Sequence, residues 1–131
     1  MDIQARILIV DDDEQILLVW HGALTGYTKS WHVEVARSGH EALEMLRQNR
    51  FDLLVTDLRM PEMNGDDLTR AAQRLQPDMP VIWITSFSNA QTRLKAEPLD
   101  VYCCLKKPLS IHEIREVVEE ALSCCRVDNK V

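Results

Sequence analysis

Two short runs constrain the fold more than any other feature. "FDLLVT" (51–56) and "VIWIT" (81–85) have continuous apolar cores, without the alternation of a half-exposed strand. A strand reads this way when helices cover both its faces, as in a parallel sheet. "RILIV" (6–10) and "VYCCL" (101–105) are two further strand candidates. "WHVEVA" (31–36) alternates instead: Trp31, Val33 and Val35 share one face, His32 and Glu34 the other, as expected at a sheet edge. Between these runs lie segments of helical period. Residues 14–24 carry Ile16, Leu17, Val19, Trp20 and Leu24 as an apolar stripe, and Gly26 stops the helix. Residues 39–49 bury Ala42, Leu43 and Leu46 behind a Ser38 cap. Residues 66–76 end at Pro77, and the weaker 89–97 segment ends at Pro98. Residues 110–125 open with a Ser110/Glu113 capping box and bury Ile111, Ile114, Val117, Val118, Ala121 and Leu122. Strand and helix alternating five times predict an α/β fold, a doubly wound five-stranded parallel sheet with helices on both faces.

With 131 residues, 46% of them apolar, the chain is expected to be a single domain over 1–131, with a core at about 5–124 and a tail at 126–131. A net charge of −6 argues against direct nucleic-acid binding. No apolar run reaches membrane-spanning length, and "MDIQARILIV" has no signal-peptide pattern, so a cytoplasmic protein without membrane contact is expected.

Ligands of open parallel sheets bind at the carboxyl ends of the strands. Those ends carry Asp11, Asp12 and Asp13 after the first strand, Asp57 after the third, and Thr85 and Ser86 after the fourth. The fifth is followed by Lys106, Lys107 and Pro108. Clustered carboxylates repel and need a counter-charge, which a hard divalent cation such as Mg²⁺ supplies through oxygen ligands. A carboxylate beside such a cation can attack phosphorus and form an aspartyl phosphate. The metal and an ammonium then offset charge on the transferring oxygens. Asp13 reads as the cap of the first helix more readily than as a third ligand.

The pieces "ILIVDDD", "VTDLRMPEMNG", "VIWITS" and "LKKP", in this order and at these spacings, resemble the receiver domain of bacterial two-component response regulators over roughly residues 5–124. The resemblance implies the flavodoxin-like, CheY-like strand order 2-1-3-4-5. It implies Asp57 as phosphoacceptor, with Asp12 as a direct Mg²⁺ ligand and Asp11 acting largely through water. The backbone carbonyl of Arg59 would be a further ligand. Thr85 would bind the phosphoryl group, and Lys107, followed by a cis bond to Pro108, would pair with Asp57. Gly65 would permit the turn after the loop. The implied partners are a sensor histidine kinase or phosphotransfer protein and, through helix four, strand five and helix five, an output partner or a second protomer. The domain would be a signalling switch and not an enzyme, assisting only its own phosphorylation and dephosphorylation.

Several residues depart from the pattern. The aromatic residue common three positions before the lysine is replaced by Cys104, with Tyr102 two residues earlier on the same side of the strand. Asp100 and Val101 replace the usual Gly-Ala. A phosphate-independent binding module of the same fold is therefore the alternative. An enzyme with an aspartyl intermediate is the third reading, disfavoured because Arg59, not a carboxylate, stands two residues after Asp57. Arg59 and Phe87 flank the implied phosphorylation site and would shield it from water. Lys106 is the alternative to Lys107 as the site lysine, but it faces the opposite side of the strand, and Lys107 is the one that precedes proline as in the family. His21, His32, His40 and His112 read as surface or half-buried residues. The cysteines at 103, 104, 124 and 125 read as ordinary thiols, with a redox or metal-binding pairing between the two ends as the alternative.

Overall fold

The computed structural model describes residues 5–86 and 90–129, excepting the side chains of 90, 91, 93 and 124–129. The five strands are β1 (Ala5–Val10), β2 (Trp31–Ala36), β3 (Leu53–Asp57), β4 (Val81–Thr85) and β5 (Cys103–Lys106). They pair in parallel in the order β2-β1-β3-β4-β5. The helices are α1 (Glu14–Thr25), α2 (Gly39–Gln48), α3 (Gly65–Leu75), α4 (Ala90–Ala96) and α5 (Ile111–Asn129).

Strand alternation divides the core. Ile7, Ile9, Val55, Ile82 and Ile84 pack against Leu17, Trp20 and Leu24 of α1 and Ile114, Val118 and Ala121 of α5. Leu8, Val10, Leu54 and Trp83 pack against Ala42 and Leu46 of α2 and Leu68 and Ala72 of α3. Both faces of β3 and β4 are thus covered, which is why their sequences lack alternation. Each fully buried aliphatic side chain contributes roughly 1.5–3 kcal/mol. On the edge strand β2, Trp31 and Val33 are buried and His32 is exposed, while Glu34 is half-buried in an ion pair with Arg6 at 2.6 Å.

The predicted caps are present. The Asp13 carboxylate accepts from the amides of Gln15 and Ile16, and Ser38 Oγ accepts from that of Glu41. Ser110 and Glu113 form the reciprocal box.

Five expectations are corrected. β3 begins at Leu53, not Phe51, because its ladder starts where Leu53 meets Ile7. Phe51 is nonetheless buried, its N–H donating to Gln76 Oε1. Pro98 does not end α4 abruptly but lies in a single 3₁₀ turn, Glu97–Leu99, closed by Asp100 in the left-handed region at φ 54°. That turn delays β5 to Cys103, and the Gln73 side chain of α3 holds it by donating to the Leu99 carbonyl. Val19 and Ile111 leave their stripes, being 56% and 46% exposed. Finally, α5 runs past residue 125 to Asn129, since no glycine or proline interrupts "RVDN".

Candidate functional site

The site sits where the core ends. β1 and β3 run side by side, with Val10 opposite Thr56, so the residues that follow, Asp11 and Asp57, emerge together. β4 brings Thr85 to the same end, since Asp57 lies opposite Ile84. The Lys107 amide donates to the Thr85 carbonyl at 2.8 Å, which carries the lysine to the rim beyond β5. The Lys107–Pro108 peptide bond is cis.

Carboxylate oxygens of Asp11, Asp12 and Asp57 lie within 4.8 Å of one another. The Lys107 ammonium is 3.3 Å from Asp11 and 3.4 Å from Asp57. Asp11 is buried, Asp57 half-buried and Asp12 exposed. Asp11 is also fixed from below, its second oxygen accepting from the Asp13 amide at 2.9 Å. Three oxygen donors at these separations fit a hard cation such as Mg²⁺, whose ligands are oxygens and which usually keeps waters in its shell.

The electrostatics follow from this crowding. Burial pushes the Asp11 carboxyl up; the Asp13 amide partly offsets that, and the neighbouring charge of Asp57 adds to it. Burial also pushes Asp57 up, against the opposing pull of Lys107. For Lys107, burial favours the neutral amine, but the two carboxylates outweigh it and hold the ammonium above its usual range. Two partly desolvated carboxylates therefore share one ammonium, leaving the site short of positive charge.

The loop after Asp57 is closed tightly. Leu58 donates to the Ile84 carbonyl at 3.1 Å, and Gly65 donates to the Leu58 carbonyl at 2.7 Å. Asn64 precedes α3 but does not cap it with its side chain, which accepts instead from the Met60 amide. The left-handed residue is Glu62, at φ 68°, and no glycine of the described residues has positive φ. Gly65 is required for space: a Cβ there would lie 2.5 Å from the Asp57 carbonyl oxygen. This corrects the expectation that its conformational freedom serves the turn.

The model of the response regulator receiver domain matches residues 7–119. The chain belongs to the response regulator receiver family. Its receiver fold is shared with a CheY-like receiver domain protein from Methanospirillum hungatei JF-1, at TM-score 0.89 and 27% identity over 95% of this chain and 98% of that one. The non-phosphorylated HemR receiver domain from Leptospira biflexa gives 0.83 and 33%, covering 92% and 95%. The transcriptional regulatory protein ZraR of Salmonella typhimurium is 35% identical over 120 residues, 92% of this receiver and 27% of that protein. The receiver spans about a quarter of the length of the curated relatives it matches. Among its described residues, no helix is long and apolar enough to cross a membrane.

Other expectations fare unevenly in this receiver. Lys106 is exposed while Lys107 is half-buried at the carboxylates, as alternation requires. Thr85 is buried, and the Arg59 side chain is exposed. Phe87, its expected companion as a shield, lies outside the described residues, as do the side chains of Cys124 and Cys125. Cys103 and Cys104 are half-buried. Burial, with Glu120 of α5 adding to it, holds the Cys103 thiol above its usual range, the opposite of what a reactive thiolate needs. His32, His40 and His112 are exposed and His21 half-buried. The sequence reading missed the Asp11–Lys107 contact, and missed Thr69 and Trp83 behind the loop, whose hydrogen bond is 2.8 Å long. The only local signal was a threonine four residues after Gly65, spaced to bond back to its carbonyl.

Proposed function

We propose that this receiver is a phosphorylation-dependent switch in which Asp57 accepts a phosphoryl group from a sensor histidine kinase or phosphotransfer protein. A carboxylate oxygen of Asp57 attacks phosphorus, the phosphorus–nitrogen bond to the donor histidine breaks, and its electron pair returns to the imidazole, which takes up a proton. The observation that carries this reading is the convergence of Asp11, Asp12 and Asp57 within 4.8 Å, with Lys107 at 3.4 Å from Asp57. Asp11, Asp12, Asp57 and the carbonyl of Arg59 would hold Mg²⁺, and when bound the ion supplies the positive charge that the carboxylates and the phosphoryl oxygens require.

Each residue then has one task. Asp57 is the nucleophile, held at the end of a buried strand. Lys107 is already within reach of Asp57 and offsets charge on a phosphoryl oxygen. Thr85, at the end of β4, donates its hydroxyl to another. The aspartyl phosphate shifts an equilibrium between two conformations of the α4–β5–α5 face, which controls an output domain, a protein partner or a second protomer. The relatives named as transcriptional regulators favour an output that acts on transcription. The domain itself, at net charge −6, is not suited to contact DNA.

A phosphate-independent binding module is the second reading. It is favoured by Cys104, half-buried in the packing of Trp83 where the family commonly carries an aromatic side chain. Incubation with acetyl phosphate and Mg²⁺ separates the two. The switch requires a phosphoryl adduct that Asp57→Ala abolishes, and a module gives none even with a cognate kinase.

A further inference from the structure

Trp83 is fully buried in the middle of β4, two residues before Thr85, yet its indole is not merely packed. Its Nε1–H donates to Thr69 Oγ1 at 2.8 Å, and the Thr69 hydroxyl donates to the Gly65 carbonyl at 2.7 Å. Gly65 is the residue on which the phosphorylation loop closes. Its amide donates to Leu58, whose own amide donates to the Ile84 carbonyl. The chain of bonds therefore leaves β4 at Trp83, passes through α3 and the loop, and returns to β4 one residue later. It encloses the backbone just behind Asp57, where a Cβ on Gly65 would reach the Asp57 carbonyl oxygen. Across the sheet, Trp83 lies opposite Cys104.

We propose that Trp83 and Thr69 are positioning residues for phosphoryl acceptance: the indole N–H and the hydroxyl form a brace that sets the Gly65 backbone, and through it the Asp57 loop, against β4. The proposal rests on Asp57 being the phosphoacceptor. Thr69 is suited to the brace because its one hydroxyl proton goes to Gly65, so its lone pair faces the indole donor. Serine keeps that geometry and valine removes it. Phenylalanine at 83 deletes the donor together with one ring of the indole, and exchange at Leu8, in the same core cluster, reads the packing that is lost.

The test compares wild type with Trp83→Phe, Thr69→Val and Thr69→Ser. Amide hydrogen exchange of Gly65, relative to that of Leu8 in the core, reads the brace without metal. Mg²⁺ affinity and the rate of labelling by acetyl phosphate read its consequence. The expected result is Gly65 exchange faster by about fivefold relative to Leu8 in Trp83→Phe and Thr69→Val, the size of one neutral hydrogen bond. Labelling slows and Mg²⁺ affinity weakens by a similar factor, and Thr69→Ser keeps all three at wild-type values. An unchanged Gly65-to-Leu8 ratio overturns the brace. Faster exchange with labelling and Mg²⁺ affinity both unchanged reduces it to core packing and overturns the positioning role. Should Thr69→Val fail to fold, Trp83→Phe and Thr69→Ser decide between the same outcomes. Should wild type take no phosphoryl group, the reading of Asp57 falls, and the brace is judged by Gly65 exchange and Mg²⁺ affinity.

Discussion

Gly65→Ala places a methyl group where the structure has least room. The added Cβ would stand 2.5 Å from the Asp57 carbonyl oxygen and 2.9 Å from Leu58 Cα. Both are backbone atoms, so no side chain can swing aside. Relief requires the loop to move away from α3 by about 0.5 Å, against the Gly65–Leu58 and Leu58–Ile84 hydrogen bonds. Overpacking of this kind costs roughly 1–3 kcal/mol, which lowers the melting temperature of a chain this size by about 3–12 °C. The displaced atoms carry the Asp57 side chain. A site of this type tolerates about 0.5 Å, and 1 Å of misplacement costs about a hundredfold, so labelling by acetyl phosphate should slow by about tenfold. Thermal melts followed by circular dichroism and labelling followed by intact mass read the two effects separately. An alanine variant that melts and labels like wild type would show that the close approach does not hold the loop, and the account of how Asp57 is aimed would be wrong.

Charge at the site yields three more expectations. Asp57 titrates higher in the folded state than in the unfolded chain, so its contribution to stability falls as pH rises from the unfolded carboxylate range through the folded pKa. Asp57→Asn should therefore melt higher than metal-free wild type at pH 7, with the gap closing below about pH 4; a lower melting temperature at pH 7 refutes the shared-ammonium picture. Lys107→Ala leaves Asp11 and Asp57 facing each other without their counter-charge and should cost about 1–2 kcal/mol in metal-free protein, since both carboxylates keep some solvent. The same variant should bind Mg²⁺ more tightly while accepting phosphoryl groups more slowly, and calorimetry showing weaker binding contradicts this. Asp13→Ala removes two cap bonds of α1 and should cost about 1 kcal/mol without weakening Mg²⁺ binding, as a residue outside the ligand set must.

Much of this was legible in the sequence because local pattern and global fold agree. "FDLLVT" and "VIWIT" are continuous since helices cover both faces of β3 and β4, and a continuous strand that stops at Asp57 announces a polar rim. The helix caps were readable because their partners are three residues away. What escaped the reading depends on distant partners. The burial of Phe51 outside any strand is held by Gln76, 25 residues on, and the delay of β5 by Gln73 reaching Leu99. The exposure of Val19 follows from the orientation of α1 on the sheet, which buries Ala23 in the stripe instead. At the site, the strand ends put Asp11, Asp12, Asp57 and both lysines on one rim, and the resemblance singled out Lys107, which stands 3.4 Å from Asp57. That Lys107 also touches Asp11, and that Trp83 stands behind the loop, required the sheet register.

The most direct test of the central claim is the intact mass of the protein after incubation with acetyl phosphate and Mg²⁺, for wild type and Asp57→Ala. The account predicts a gain of one phosphoryl group, about 80 Da, in wild type alone and only with Mg²⁺ present. An adduct that persists in Asp57→Ala, or that forms equally well without the metal, would contradict it.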